Sequence, residues 1–220
     1  MPEAELLKKR ASQHFDDWAD HYEAGRMSRW FRHFQALIIA TIAPSPGQRV
    51  LDVGCGTGWA VRSVVQREPA AWACGLDISR AMLQEAVRRR GPTTRAAFVQ
   101  ADSEHIPAKD ASFDAVICSS SFHHYPAPVA SLREMRRVLK QGGMLLLLET
   151  SREAFWPIAV YDFLQRTFRS DHVRYYATHE IVAFLREAGF AEIAEVVRER
   201  GLFRHGKLVT SEVLLRAVKR

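Results

Sequence analysis

The segment Val50-Leu51-Asp52-Val53-Gly54-Cys55-Gly56-Thr57-Gly58 constrains this chain more than any other. A short apolar strand runs into three alternating glycines, and a helical pattern follows at once. Glycine at alternate positions removes the side chains that would hold a ligand away, so the bend brings backbone amides close to a bound molecule. A strand–bend–helix unit of this kind belongs to an α/β sheet that binds nucleotide-type ligands at its strand ends. Two such readings fail on single residues. The Walker loop must close on Gly-Lys-Ser/Thr, and this chain has Gly58-Trp59-Ala60. The dinucleotide fingerprint needs glycine five positions after the first, where Trp59 would obstruct the close packing that NAD binding requires.

The rest of the chain repeats the alternation. Strands are expected at 49–53, 72–76, 97–100, 113–119 and 144–149. Helices are expected at 58–67, from the Ser79 cap to Arg90, and from Pro128 to a stop at Gly142-Gly143. Strands that are apolar on both faces argue for a mainly parallel sheet with helices on both sides. Residues 3–43 read as helical, with Phe15, Trp18 and Tyr22 at helix spacing, and Pro44, Pro46 and Gly47 end that stretch. Residues 152–170 read as an aromatic-rich helix and 178–188 as another, stopped by Gly189. Strands at 191–198 and 208–218, linked through 201–206, predict a hairpin with one antiparallel closing strand.

At 220 residues the chain suits one domain. It divides into a helical lid (1–43), a core (49–150), a helical cap (151–188) and closing strands (190–220). Its three cysteines form no Cys-x-x-Cys or Cys/His cluster, so neither a metal nor a disulfide is expected. The charged first ten residues lack a signal-peptide core, and no apolar run approaches about 18 residues, which points to a cytoplasmic protein without an integral membrane segment. The net charge of +6 leaves room for peripheral contact with anionic lipid. Its arginines are scattered, however, and the densest group, Arg88 to Arg90, closes a helix whose dipole it complements. No nucleic-acid partner is expected.

Residues 50–58 resemble the first motif of class I S-adenosylmethionine (SAM)-dependent methyltransferases, and the resemblance runs in order through residues 49–150. Gly75-Leu76-Asp77-Ile78-Ser79 resembles the second motif, whose carboxylate grips the ribose hydroxyls. Ala101-Asp102-Ser103 resembles the third, whose aspartate accepts the adenine amino group. Residues 112–119 with Phe122-His123-His124 resemble the fourth, and 132–143 the helix and turn before the fifth strand. Residues 15–23 are similar to the tryptophan–tyrosine entry helix of the ubiquinone/menaquinone-biosynthesis-like branch, with Glu23 where aspartate is usual. The resemblance implies a Rossmann-like, seven-stranded fold. It also implies that SAM, and its product S-adenosylhomocysteine, contact Asp52, Gly54, Cys55, Gly56, Gly58, Asp77, Ile78, Met82, Asp102, Ser103 and Ser119, with Trp18 and Tyr22 from the lid.

The residue chemistry agrees. A carboxylate at a strand end offers acceptors to the two ribose hydroxyls, although Asp77 could instead serve the following helix N-terminus and Asp102 a turn. Asp52 in an apolar strand needs a partner, which a ligand amine, the bend's amides or a structural pairing could supply. His123 and His124 are the candidate general bases, since imidazole titrates near neutrality; an amine acceptor needs no base, whereas a phenol or acidic carbon does. Phe155, Trp156, Tyr175 and Tyr176 are either a substrate wall or core. The expected reaction is in-line methyl transfer to a small-molecule acceptor. A nucleic-acid methyltransferase is the rival, weakened because Ser119-Ser120-Ser121-Phe122 stands where an Asn/Asp-Pro-Pro-aromatic turn is usual. A non-catalytic SAM-binding protein is the other.

Overall fold

Apolar residues at every position of a short segment mean that both faces of a strand are buried, and the structure shows where each face goes. The computed structural model describes residues 3–23, 27–152, 162–163, 174–204 and 207–220. Seven strands form one sheet: β1 (Arg49–Val53), β2 (Trp72–Asp77), β3 (Ala96–Gln100), β4 (Phe113–Ser119), β5 (Leu139–Thr150), β6 (Ala191–Arg204) and β7 (Lys207–Val218), in the order β3-β2-β1-β4-β5-β7-β6. The first five are mutually parallel, and β7 runs antiparallel to both its neighbours, so the sheet is mixed.

The two-residue period of a strand sorts the core into two layers. Leu51, Val53, Val116, Leu145 and Leu147 pack against α5 (Pro128–Val138) and α6 (Thr178–Glu187). Val50, Ala73, Ile117, Leu146 and Leu148 face the other way, against α2 (Met27–Ile42) and α3 (Trp59–Arg67). The remaining helix, α4 (Arg80–Arg89), opens at Ser79, whose Oγ accepts the Met82 N–H at 3.1 Å. The expected cap is therefore present.

The stretch expected to be helical at the start divides into α1 (Glu3–Trp18), a 3₁₀ turn (Ala19–His21) and α2. Their attachment differs. The apolar stripe of α2 buries Trp30, Phe34, Ile38 and Ile42, whereas α1 buries Ala11 alone among its own residues.

Two expectations are corrected. Gly142-Gly143 does not end α5; the helix stops at Val138, and Leu139 already pairs with Phe113. Leu139 is fully buried, so the chain turns extended at once to place it, and the glycines fall in the irregularity before Met144 pairs with Ala115. The closing hairpin is longer than expected, because Gly201 lies inside the ladder opposite Thr210 instead of opening the turn. Of the helix expected at 152–170, all but residues 152, 162 and 163 lies outside the described residues, as do Phe155 and Trp156.

Candidate active site

Strands β1 and β4 lie side by side, while the connections after them leave to opposite sides of the sheet. Ligands in open α/β sheets bind at the carboxyl ends of such a pair. A cavity of about 710 Å³, counting its open mouth, lies there. Its wall draws on the bend after β1, the ends of β2 and β4, the loop after β3, and α1.

The bend is held by β2. Gly54 and Cys55 both donate their N–H groups to the Leu76 carbonyl, at 2.8 and 3.0 Å, and Gly56 donates to Asp77 Oδ2 at 2.8 Å. These three amides are therefore engaged within the protein, by Leu76 and Asp77. Gly54 has φ +75°, and a Cβ there would lie 2.5 Å from Ser121 Cβ and Oγ; at Gly58, also φ +75°, it would lie 2.6 Å from the Phe98 ring. Both glycines are required by packing as well as by backbone conformation.

Asp52 sits at the back of the bend, 3% exposed, and its Oδ1 has no hydrogen-bond partner. Burial, and then the neighbouring Asp77 charge, push its carboxyl up to about 7. The Ser119 hydroxyl is also buried and unpartnered. Two buried acids, one with an unsatisfied oxygen, favour a cationic guest.

At the β2 end, Asp77 lines the cavity with Ile78 and Met82. Its Oδ1 accepts the Ser79 N–H at 2.9 Å. Burial nonetheless outweighs the backbone donors and raises its carboxyl. Asp102 and Ser103 line the next stretch of wall. Asp102 carries an unforeseen partner: Lys8 of α1, whose Nζ lies 2.7 Å from Asp102 Oδ2 and 2.8 Å from Glu104 Oε2. Burial works against the Lys8 charge, but the two carboxylates prevail and raise its pKa. Asp16 accepts from Ser79 Oγ at 2.6 Å and from the Ala81 N–H at 3.0 Å. Glu23 accepts from Thr57 Oγ1 at 2.6 Å and pairs with Arg62 and Arg89 at 3.0 and 3.2 Å. Lys8, Asp16 and Glu23 thus tie the N-terminal segment to the loop after β3, to α4 and to the bend.

Beyond β4, Ser119, Ser120, Ser121, His124 and Tyr125 line the cavity, and Phe15 meets the His124 ring edge-on at 5.0 Å. His123 stands behind His124, ring centroids 4.1 Å apart, with Tyr175 on another side at 4.8 Å. Its Nδ1 lies 2.8 Å from Oε1 of Glu149, a fully buried carboxylate that sequence reading missed. Tyr176 packs into the core beside α6.

Of the residues expected to hold SAM, Gly54, Gly56, Asp77, Ile78, Met82, Asp102, Ser103, Ser119 and Tyr22 line one cavity, and His124 joins them. Asp52 and Trp18 do not: Asp52 is buried in β1 behind the bend, and Trp18 braces the Tyr22 ring edge-on at 5.0 Å. Gly58 packs beneath the bend, and Cys55 faces a smaller side hollow shared with Thr57 and Trp59. Burial pushes the Cys55 thiol well up and that of Cys118 up to about 12, which disfavours the thiolate form of both. Among the described residues no group of three His, Cys, Asp or Glu side chains is placed to hold a metal, and no helix is long and apolar enough to cross a membrane.

Comparison with known proteins agrees with this geometry. Residues 51–147 match the methyltransferase domain family. A demethylmenaquinone methyltransferase from Beutenbergia cavernae is 34% identical over 177 residues, covering 76% of this chain and 70% of that protein. One from Renibacterium salmoninarum is 37% identical over 165 residues, 69% of this chain; the match spans 64% of that relative's own length. A crystal structure from Thermotoga maritima, described as a SAM-dependent methyltransferase and possible histamine N-methyltransferase, superposes with a TM-score of 0.74 at 23% identity, covering 96% of this chain and all of that one. The last shows the fold alone. The chain belongs to the class I SAM-dependent methyltransferases of the ubiquinone/menaquinone-biosynthesis type.

Proposed function

We propose that this protein methylates a quinone-type small molecule with SAM as donor, the acceptor ring being related to demethylmenaquinone. The observation that carries the reading is the buried, unpartnered Oδ1 of Asp52 behind a bend whose amides are engaged elsewhere. The residues present fit SAM: a sulfonium amino acid brings positive charge to Asp52 and Asp77, whereas a pyrophosphate would meet carboxylates where it needs donors. When bound, SAM supplies an activated methyl group that needs no further activation by the protein.

The chain's own residues do the rest. Asp77 offers its remaining lone pairs to the ribose hydroxyls, and Asp102, once shared with Lys8, to the adenine amino group. Phe15, Tyr22 and His124 close the cavity and exclude water, so that rate comes from alignment. An oxidised quinone carbon is electrophilic; its reduced, hydroxyl-bearing form becomes a carbon nucleophile once the hydroxyl loses its proton. A base is then required, and His123 and His124 stand where β4 ends.

On this reading residues 1–43, 49–150, 151–188 and 190–220 serve one site as lid, floor, cap and closing edge of a single domain. The compartment is the cytoplasm, and the net charge of +6 suits approach to an anionic lipid surface that holds the acceptor. The test incubates the protein with methyl-labelled SAM and a reduced short-tailed demethylmenaquinone. Label in the ring product supports the reading; SAM binding by calorimetry without transfer to that acceptor overturns it.

A further inference from the structure

The acceptor chemistry just proposed requires a base, and one buried pair, His123 with Glu149, stands directly behind His124 of the cavity wall. His123 lies on the 3₁₀ turn Phe122–His124 directly after β4, and Glu149 near the end of the neighbouring β5. Because Ser119, the last residue of β4, pairs with Leu148 in the ladder, the turn that follows it comes to lie beside Glu149. Glu149 is fully buried after four consecutive leucines of β5, where a carboxylate is costly unless its oxygens are satisfied. His123 supplies two of the bonds: Oε1 receives the ring Nδ1 at 2.8 Å and Oε2 the His123 backbone N–H at 3.1 Å. The Thr150 N–H adds a bond to Oε1 at 2.8 Å. One carboxylate thus holds both the backbone and the ring of the same histidine.

We propose that Glu149 is a positioning residue that fixes the His123 ring as its Nδ1–H tautomer, so that Nε2 is the basic nitrogen for the acceptor's hydroxyl proton. Both Glu149 oxygens already accept backbone N–H groups, so the carboxylate is the acceptor and Nδ1, 2.8 Å away, the donor; a neutral imidazole with its proton on Nδ1 has its lone pair on Nε2. The inference rests on the quinone-type reading for its substrate, but the tautomer does not. In the step itself the acceptor O–H bond breaks, its electron pair stays on oxygen, and the proton moves to Nε2. The resulting imidazolium is stabilised by the Glu149 charge until solvent takes the proton. Among the described residues, the polar groups around this ring include Glu149 from β5, His124 from the same turn and Tyr175 from the segment before α6, with the Arg174 N–H on the His123 carbonyl at 3.4 Å.

The test begins with unmutated protein carrying ¹⁵N-histidine and bound S-adenosylhomocysteine, the His123 signals being assigned by their loss in His123→Phe. The Nδ1–H tautomer is expected; the Nε2–H tautomer overturns the proposal. Steady-state kinetics with the reduced short-tailed acceptor then compare Glu149→Gln and Glu149→Asp with wild type. Glu149→Gln should lower kcat about 100-fold, within the usual worth of a general base, with KM for SAM within about threefold, and Glu149→Asp should recover part of the loss. Turnover of Glu149→Gln within about twofold of wild type also overturns it. If Glu149→Gln does not fold, the aspartate variant and the tautomer decide. If wild-type protein methylates no hydroquinone, the acceptor reading fails alone, and the tautomer still decides the positioning.

Discussion

The affinity of this protein for SAM should fall steeply with acidity, through one carboxyl. Asp52 is buried with an unpartnered Oδ1, and its carboxyl is pushed up to about 7, so at neutral pH the ligand-free protein carries it half protonated. A cationic ligand engages the ionised form. Below pH 7 each unit then costs about a factor of ten, or ~1.4 kcal/mol, giving roughly a 100-fold weaker Kd at pH 5 than on the plateau above 7. The plateau should end near pH ~8, where the ligand's own α-amino group begins to lose its proton. Calorimetry from pH 5 to 7.5, in buffers of different ionisation enthalpy, reads both the slope and a proton released on binding. Asp52→Asn should bind roughly 10- to 100-fold more weakly at pH 7.5, the worth of a charge-assisted hydrogen bond, and should lose the slope. The sign for stability runs the other way. The folded chain holds a proton that the unfolded chain has released, so without ligand the protein gains stability as pH falls from about 7 toward the ordinary carboxylate range, and Asp52→Asn flattens that gain. A wild-type Kd that is flat between pH 5 and 7.5, or an Asp52→Asn variant that keeps the slope, would refute this reasoning.

Three further outcomes follow from the geometry. Asp77→Asn should weaken SAM binding roughly ten- to a hundred-fold by calorimetry, because the carboxylate anchors the Gly56 N–H and is the acceptor proposed for the ribose hydroxyls. Gly58→Ala, with a Cβ 2.6 Å from the Phe98 ring at φ +75°, should cost about 2–3 kcal/mol and lower Tm by roughly 4–12 °C; an unchanged melt would contradict the packing described. Ser79→Ala removes the α4 cap and the bond to Asp16, which should cost about 1 kcal/mol in chemical denaturation; no change in midpoint would mean that neither bond matters.

Sequence alone located the part of the site made by chain geometry. Alternating glycines after an apolar strand, and a carboxylate where the next strand ends, have few other uses, so Gly54, Gly56, Asp77 and Asp102 fell on one cavity. What escaped was carried by residues without a pattern. Lys8 and Asp16 are charges on a charged helix, alike on paper to their solvated neighbours, and only the approach of α1 to α4 and to the loop after β3 separates them. Glu149 ends an apolar run and looked like the polar end of a strand; its burial depends on His123, 26 positions away. Gly142-Gly143 and Gly201 misled because glycine marks strand irregularities as readily as turns. His123 and His124 were seen as a pair, but which of them faces the cavity depends on a 3₁₀ turn that adjacency cannot reveal.

The unequal anchoring of the first two helices has a consequence for ligand traffic. α2 is cemented by aromatic and aliphatic burial that salt barely touches, whereas α1 and the turn after it are moored over the cavity by Lys8, Asp16 and Glu23 through charge and hydrogen bonds. Ionic strength screens partly exposed ion pairs. Raising it should therefore unfasten the awning while the foundation stays put, and entry and escape of a bound molecule should quicken together with little change in melting temperature.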